Sequence, residues 1–292
     1  MPGQSEPRRA GHPPFVVEPQ AAHTHTLILL HGLGSDGHKF GSELLRTAAT
    51  GSGATLPALL PGARFVFPTA RPRRSAAFGR AVLTSWFDIA DLRDPSLRRE
   101  RQLRGLAESA ADILEILHEE VQIVKPENII FGGLSQGCAM SLAVLLSLEF
   151  PLGGYIGMSG FITFQPDLHE ALLPVEAEPD DLFERDEEDS AHPAHPSVKA
   201  QALQRELLEM EAIEAADVIK TAHRTPILLG HGEEDEKISC HLGLAAAQVM
   251  RDAGYVVSWK SYANQGHWYK IPDQVEDWVE FIVSTVGWEV SA

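Results

Sequence analysis

The stretch Phe131-Gly132-Gly133-Leu134-Ser135-Gln136-Gly137-Cys138 leaves this chain little freedom of fold. It follows the apolar run Asn128-Ile129-Ile130-Phe131, which reads as a buried strand, and precedes an apolar segment, 139–150, long enough for a helix. A strand that passes at once into a helix around Gly-x-Ser-x-Gly is a nucleophile elbow. A serine on so sharp a turn needs neighbours without bulk, and Gly133 and Gly137 supply them. The helix beginning after Ser135 directs its free N–H groups and the positive end of its dipole at the hydroxyl, which favours negative charge developing there. By position, the Gln136 N–H is half of an oxyanion hole. Taken alone, the pattern also fits a glycine-rich turn between a strand and a helix, so the rest of the chain must decide.

Around the elbow, strands and helices alternate. Strands are expected at 24–30, 64–67, 154–158, 225–232 and 256–262, and helices at 39–50, 103–124, 201–220, 241–252 and 272–286. Such alternation with short glycine turns means an α/β fold, a mostly parallel central sheet flanked by helices. Residues 1–22 are expected to be a flexible leader and 23–292 a single domain.

Charge narrows the partners. The net charge is -17, and the segment 170–220 alone holds fifteen acids against four bases. Residues 166–222 therefore read as an acidic insertion before the strand at 225–232, an exposed or disordered loop that serves as a lid over the site or as a surface decoration. A nucleic-acid partner would need clustered Lys and Arg; the cluster Arg71, Arg73, Arg74 and Arg80 reads as a solvated loop. No apolar run reaches the length of a membrane span. Residues 1–14 lack the hydrophobic core of a secretory signal, and Pro2 excludes N-myristoylation. Two cysteines, Cys138 and Cys240, give no disulfide framework, so a cytoplasmic location is expected, with Cys138 a small packing residue.

A serine needs a base to become nucleophilic at neutral pH, and the base needs an acid to fix its tautomer. In hydrolases built on such an elbow the chain order is serine, acid, histidine. Ser135 is followed by the cluster Glu233-Glu234-Asp235-Glu236 after one late strand and by His267, the only histidine after the last strand. Asp235 competes here with the three glutamates. The loop His31-Gly32-Leu33-Gly34 after the first strand offers the Leu33 N–H as a second oxyanion donor, while His31 and His38 read as structural. Trp86, in Ser85-Trp86-Phe87-Asp88, is either a core plug or a substrate-binding wall of an acyl pocket. His192 and His195 are too weakly spaced for a metal site, and no metal or organic cofactor is expected.

Five motifs, His31-Gly32-Leu33-Gly34, Ser85-Trp86-Phe87-Asp88, Gly133-Leu134-Ser135-Gln136-Gly137, His231-Gly232-Glu233-Glu234-Asp235 and Gly266-His267, come in an order that resembles the phospholipase/carboxylesterase family of α/β-hydrolases, and within it the acyl-protein thioesterases or lysophospholipases. The likeness covers roughly 24–165 and 224–286. It implies the α/β-hydrolase fold, Asp235 as the triad acid, and Leu33 and Gln136 as oxyanion donors. It also implies hydrolysis of long-chain thioesters on protein cysteines, or of lysophospholipids and small carboxylic esters. Three departures bear on the substrate: Glu236 stands where the family usually has proline, Cys138 replaces a common glycine, and the acidic insertion has no counterpart and lies where it would remodel a pocket rim. The expectation is a serine esterase or thioesterase acting on acyl esters or S-acylated proteins, with transient membrane contact. The rivals are a carboxylesterase for a small metabolite ester and an interaction protein on a retained hydrolase fold.

Overall fold

In the computed structural model, which describes residues 12–173 and 194–291, the apolar runs form strands β1 (His12–Val17), β2 (His25–Leu30), β3 (Ala63–Thr69), β4 (Pro72–Arg74), β5 (Val82–Thr84), β6 (Ile129–Leu134), β7 (Gly154–Met158), β8 (Ile227–Gly232) and β9 (Val257–Tyr262). Seven of them make one sheet in the order β1-β3-β2-β6-β7-β8-β9, parallel throughout except for β1. The central strands are apolar without interruption because both of their faces are covered. Alternation along the strand divides them: Ile28, Leu30, Ile129 and Phe131 join one buried cluster, Leu27, Leu29 and Ile130 the other.

The helices are α1 (Gly37–Thr47), α2 (Leu56–Leu59), α3 (Leu103–Glu120), α4 (Gln136–Ser147), α5 (Gln165–Leu172), α6 (Pro196–Leu207), α7 (Cys240–Asp252) and α8 (Asp273–Phe281). Phe40 and Leu44 of α1 and Val275 and Trp278 of α8 cover one face of the sheet. On the other face every residue of α4 is buried, because it lies between β6 and the helices α3 and α6. A helix apolar on all sides is a core element.

Three expectations require correction: the leader, the helix at 201–220 and the arginine cluster. The leader is not free along its whole length: β1 pairs antiparallel with β3, Phe15 opposite Phe67 and Val16 opposite Val66. The open backbone of β3 supplies the partners, and an edge strand tolerates Pro13 and Pro14. Residues 1–11 lie outside the described residues. The helix expected at 201–220 instead begins at Pro196, with proline in its first turn and His195 capping it by accepting the Ser197 N–H. It stops at Leu207, and Glu209 then takes a left-handed conformation, φ 54°.

Within the acidic insertion, α6 attaches to the end of α4 away from the elbow. The Gln201 side-chain amide donates to the Leu148 carbonyl (2.6 Å) and the Arg205 guanidinium to the Ser147 carbonyl (3.0 Å), both at the end of α4 opposite to Ser135. They satisfy carbonyls that a helix C-terminus leaves unpaired. Residues 174–193, the core of the expected loop, lie outside the described residues. Finally, Arg71 and Arg73 are not simply solvated. Arg71 pairs with Asp112 through two hydrogen bonds (2.7 and 2.6 Å) and Arg73 with Glu108, which anchors the β4–β5 hairpin on α3.

Leu145 is fully buried near the C-terminal end of α4. Leu145→Ala should lower the unfolding free energy by about 2–5 kcal/mol in a urea titration, with turnover unchanged at temperatures where the variant remains folded.

Candidate active site

β6 ends at Leu134 and α4 begins at Gln136, so Ser135 alone makes the turn. Its backbone sits at φ 58°, ψ -121°, a region that non-glycine residues avoid. Two contacts hold it there. The Ser135 N–H donates to the Met158 carbonyl (2.8 Å), which carries the β6–β7 ladder one residue further. Gly137 brings the first turn of α4 against β2, where a Cβ would overlap the Leu30 and His31 carbonyls.

The turned-out Ser135 Oγ lies 2.9 Å from His267 Nε2, and His267 Nδ1 lies 2.7 Å from Asp235 Oδ2. The turn after β8 thus delivers the acid and the turn after β9 the imidazole. Asp235 Oδ1 accepts the Lys237 and Ile238 N–H groups (2.9 and 3.0 Å), and Oδ2 accepts a second imidazole, His231 Nε2, at 3.1 Å. Burial alone would raise the Asp235 carboxyl, but the hydrogen bonds from His231, His267 and the Ile238 N–H, with the His267 charge, outweigh it and hold the group well below the usual carboxylate range. Asp235 is therefore an anion at neutral pH and accepts a hydrogen bond from His267 Nδ1–H, which leaves the Nε2 lone pair facing Ser135. Glu233, Glu234 and Glu236 are exposed, and Glu233 accepts the Ser261 hydroxyl. Of the four neighbouring acids, Asp235 alone points inward.

In the loop after β2, the Gly34 N–H donates to the Thr84 carbonyl and the Ser35 N–H to the Gly32 carbonyl. The Leu33 N–H just before them has no acceptor among the described residues, and the Gln136 N–H, first of α4, lacks one by position. Leu33 and Ser135 line one pocket of about 470 Å³, with Phe40, Phe78, Leu83, Leu92 and Trp268 as apolar walls. None of those walls comes from the described part of the insertion. Sequence reasoning overlooked them, although Trp268 directly follows His267.

Trp86 is not a wall of this pocket. It is 2% exposed, and its indole N–H donates to the His31 carbonyl at 2.7 Å. A buried indole must satisfy its N–H, and this one does so at the base of the Leu33 loop. The Gln136 side chain completes the tie: Oε1 accepts the Trp86 N–H (3.0 Å) and Nε2 donates to the Phe87 carbonyl (2.8 Å). His31, fully buried, donates through Nδ1 to the Gly32 carbonyl (2.7 Å) and accepts the Ala70 N–H at Nε2 (3.0 Å). Burial pushes its pKa down to about 4, so it is a neutral strut. His38 is exposed with its edge against Phe15. Cys138 is buried behind Ser135, its thiol pushed up to about 11 by burial, which denies it thiolate character. His195 caps α6, and His192 lies outside the described residues.

A family profile described as Phospholipase/Carboxylesterase matches residues 12–180, and one described as Prolyl oligopeptidase family matches 152–287. The chain is 25% identical over 273 residues to acyl-protein thioesterase 1 of Gibberella zeae, covering 92% of this chain and 94% of that protein. It is 29% identical over 267 residues to acyl-protein thioesterase 1 of Saccharomyces cerevisiae, covering 90% and 93%. The crystal structure of Zea mays acyl-protein thioesterase 2 superposes with a TM-score of 0.63 at 24% identity, covering 94% of this chain and 99% of that one.

The neutral state of His31 has a consequence for stability. Between about pH 6.5, the ordinary imidazole value, and about 4, the unfolded chain binds a proton that folded His31 refuses, so stability falls as the pH drops through that window. Denaturant midpoints measured from pH 7 to 4 should show this fall, with His31 contributing a slope of up to about 1.4 kcal/mol per pH unit; His31→Gln should flatten it.

Proposed function

The chain belongs to the phospholipase/carboxylesterase family, and we propose that within it the protein is a serine hydrolase of acyl thioesters and esters, with long-chain acyl groups on protein cysteines as its preferred substrates. The observation that carries this reading is the unbroken line from Ser135 Oγ through His267 to Asp235. His267 Nε2 removes the hydroxyl proton as Ser135 Oγ attacks the acyl carbonyl. The Leu33 and Gln136 N–H groups receive the oxyanion, a role supported by their lack of protein acceptors beside the serine. Collapse of the tetrahedral intermediate expels a thiol or alcohol, which takes the proton from His267. Water, deprotonated by the same imidazole, then releases the carboxylic acid from Ser135.

The acyl preference rests on the pocket and on the likeness to the two thioesterases. A cavity of about 470 Å³ walled by Leu33, Phe40, Phe78, Leu83, Leu92 and Trp268 suits an apolar chain beside the reacting carbonyl. No helix among the described residues is long and apolar enough to cross a membrane. Cys138 and Cys240 are free thiols, which suits a reducing compartment, and cytoplasmic placement is part of the proposal.

A fluorophosphonate probe should label Ser135, and a panel of palmitoyl-thioester peptide, lysophosphatidylcholine and short-chain aryl ester should give the highest kcat/KM with the first. Ser135→Ala should abolish labelling and turnover, and Asp235→Asn should lower kcat by about four orders of magnitude with little change in KM. A strong preference for the short aryl ester would assign a small-ester carboxylesterase instead. Wild-type turnover by Ser135→Ala would overturn the hydrolase reading.

A further inference from the structure

Asp235 is shared by two imidazoles, and only one of them reaches the serine. The second, His231 at the end of β8, is 1% exposed, and its Nε2 sits 3.1 Å from Asp235 Oδ2 and 2.9 Å from the Ile238 carbonyl. Both neighbours are acceptors, so Nε2 must carry the proton. The other nitrogen, Nδ1, has no hydrogen-bond partner among the described residues. It faces α7 at Gly243, where a Cβ would overlap it. Around it lie the apolar side chains of Leu142, Ala246 and Trp259. The two acceptors at Nε2 and the close approach of α7 at Nδ1 hold the ring in one orientation. Of the titratable groups, Asp235 bonds the ring at Nε2, and Cys138 of α4 lines the same small cavity.

With His231 in place, Asp235 accepts four donors, two at each oxygen, which fills the lone pairs of a carboxylate. Without it, Oδ2 would be held by His267 alone, and the acid and its imidazole could turn together. We propose that His231 is a positioning residue: a second imidazole that pins Asp235 Oδ2 so that His267 Nε2 stays aimed at Ser135, with Gly243 providing the space that its ring needs. The role rests on the hydrolase reading, whereas the pinning of Asp235 is a property of the resting protein and is read separately.

The test compares His231→Phe, which keeps the bulk and loses the donor, His231→Gln, whose amide N–H reaches toward the Nε2 position, and Gly243→Ala, which displaces the ring from below. Kinetics on an ester substrate are measured alongside the low-field proton resonance of His267 Nδ1–H in the resting protein. His231→Phe and Gly243→Ala should lower kcat about tenfold to a hundredfold with KM nearly unchanged, and should broaden or abolish the resonance. His231→Gln should restore both signals most of the way. A folded His231→Phe with wild-type kcat and resonance would refute the proposal, as would a His231→Gln no better than His231→Phe. Should His231→Phe fail to fold, the other two variants decide on the same readouts. If the wild type turns over no ester and takes no fluorophosphonate, the hydrolase reading fails, while the resonance still judges His231.

Discussion

A serine held in a backbone conformation that it would not choose underlies the whole site. The strain at Ser135 is of the order of 1–3 kcal/mol, and it persists because the surrounding structure leaves the turn no alternative. β6 is locked between β2 and β7, and the Ser135 N–H is already committed to Met158. α4 cannot back away, since it is buried on all sides and its first turn touches the carbonyls of β2. The core thus exerts on one residue a constraint that local sequence could not impose, and the outward hydroxyl is the result.

That constraint extends to the electrophile's side through Trp86, Gln136 and His31. Gln136 opens α4 directly after Ser135, and its amide grips the backbone of Trp86 and Phe87. Trp86 in turn holds the carbonyl of His31, and His31 fixes both the Gly32 carbonyl and the Ala70 N–H. The Leu33 loop and the elbow are therefore one rigid body. Preorganisation of this kind matters because donors that need not reorient stabilise developing charge at no further cost.

Much of this was legible in the sequence. The elbow was readable because Gly133, Ser135 and Gly137 have few other uses between an apolar strand and an apolar helix, and His267 because no other histidine follows β9. Asp235 was less so: composition alone could not separate it from three neighbouring glutamates, and what distinguishes it is a turn that aims one side chain inward and leaves the others in water. Trp86 stayed open between core plug and pocket wall because an aromatic after a loop serves core and cavity alike, and only the His31 carbonyl at the end of its indole N–H decides. The α6 boundary was misplaced because the apolar spacing continues past Leu207, whereas Pro196 and the left-handed Glu209 set the true ends. β1 escaped notice because two prolines argue against a strand unless it lies on an edge.

Those same prolines give β1 a role beyond pairing. A parallel sheet ending at β3 would present a row of unsatisfied amides and carbonyls to any extended peptide in solution. β1 occupies that row, and Pro13 and Pro14, lacking N–H groups, make its own outer rim a poor template for another strand. On the opposite side, β9 carries Lys260, whose ammonium pairs with Asp277. Both margins of the sheet are thereby made poor templates for the addition of a further strand.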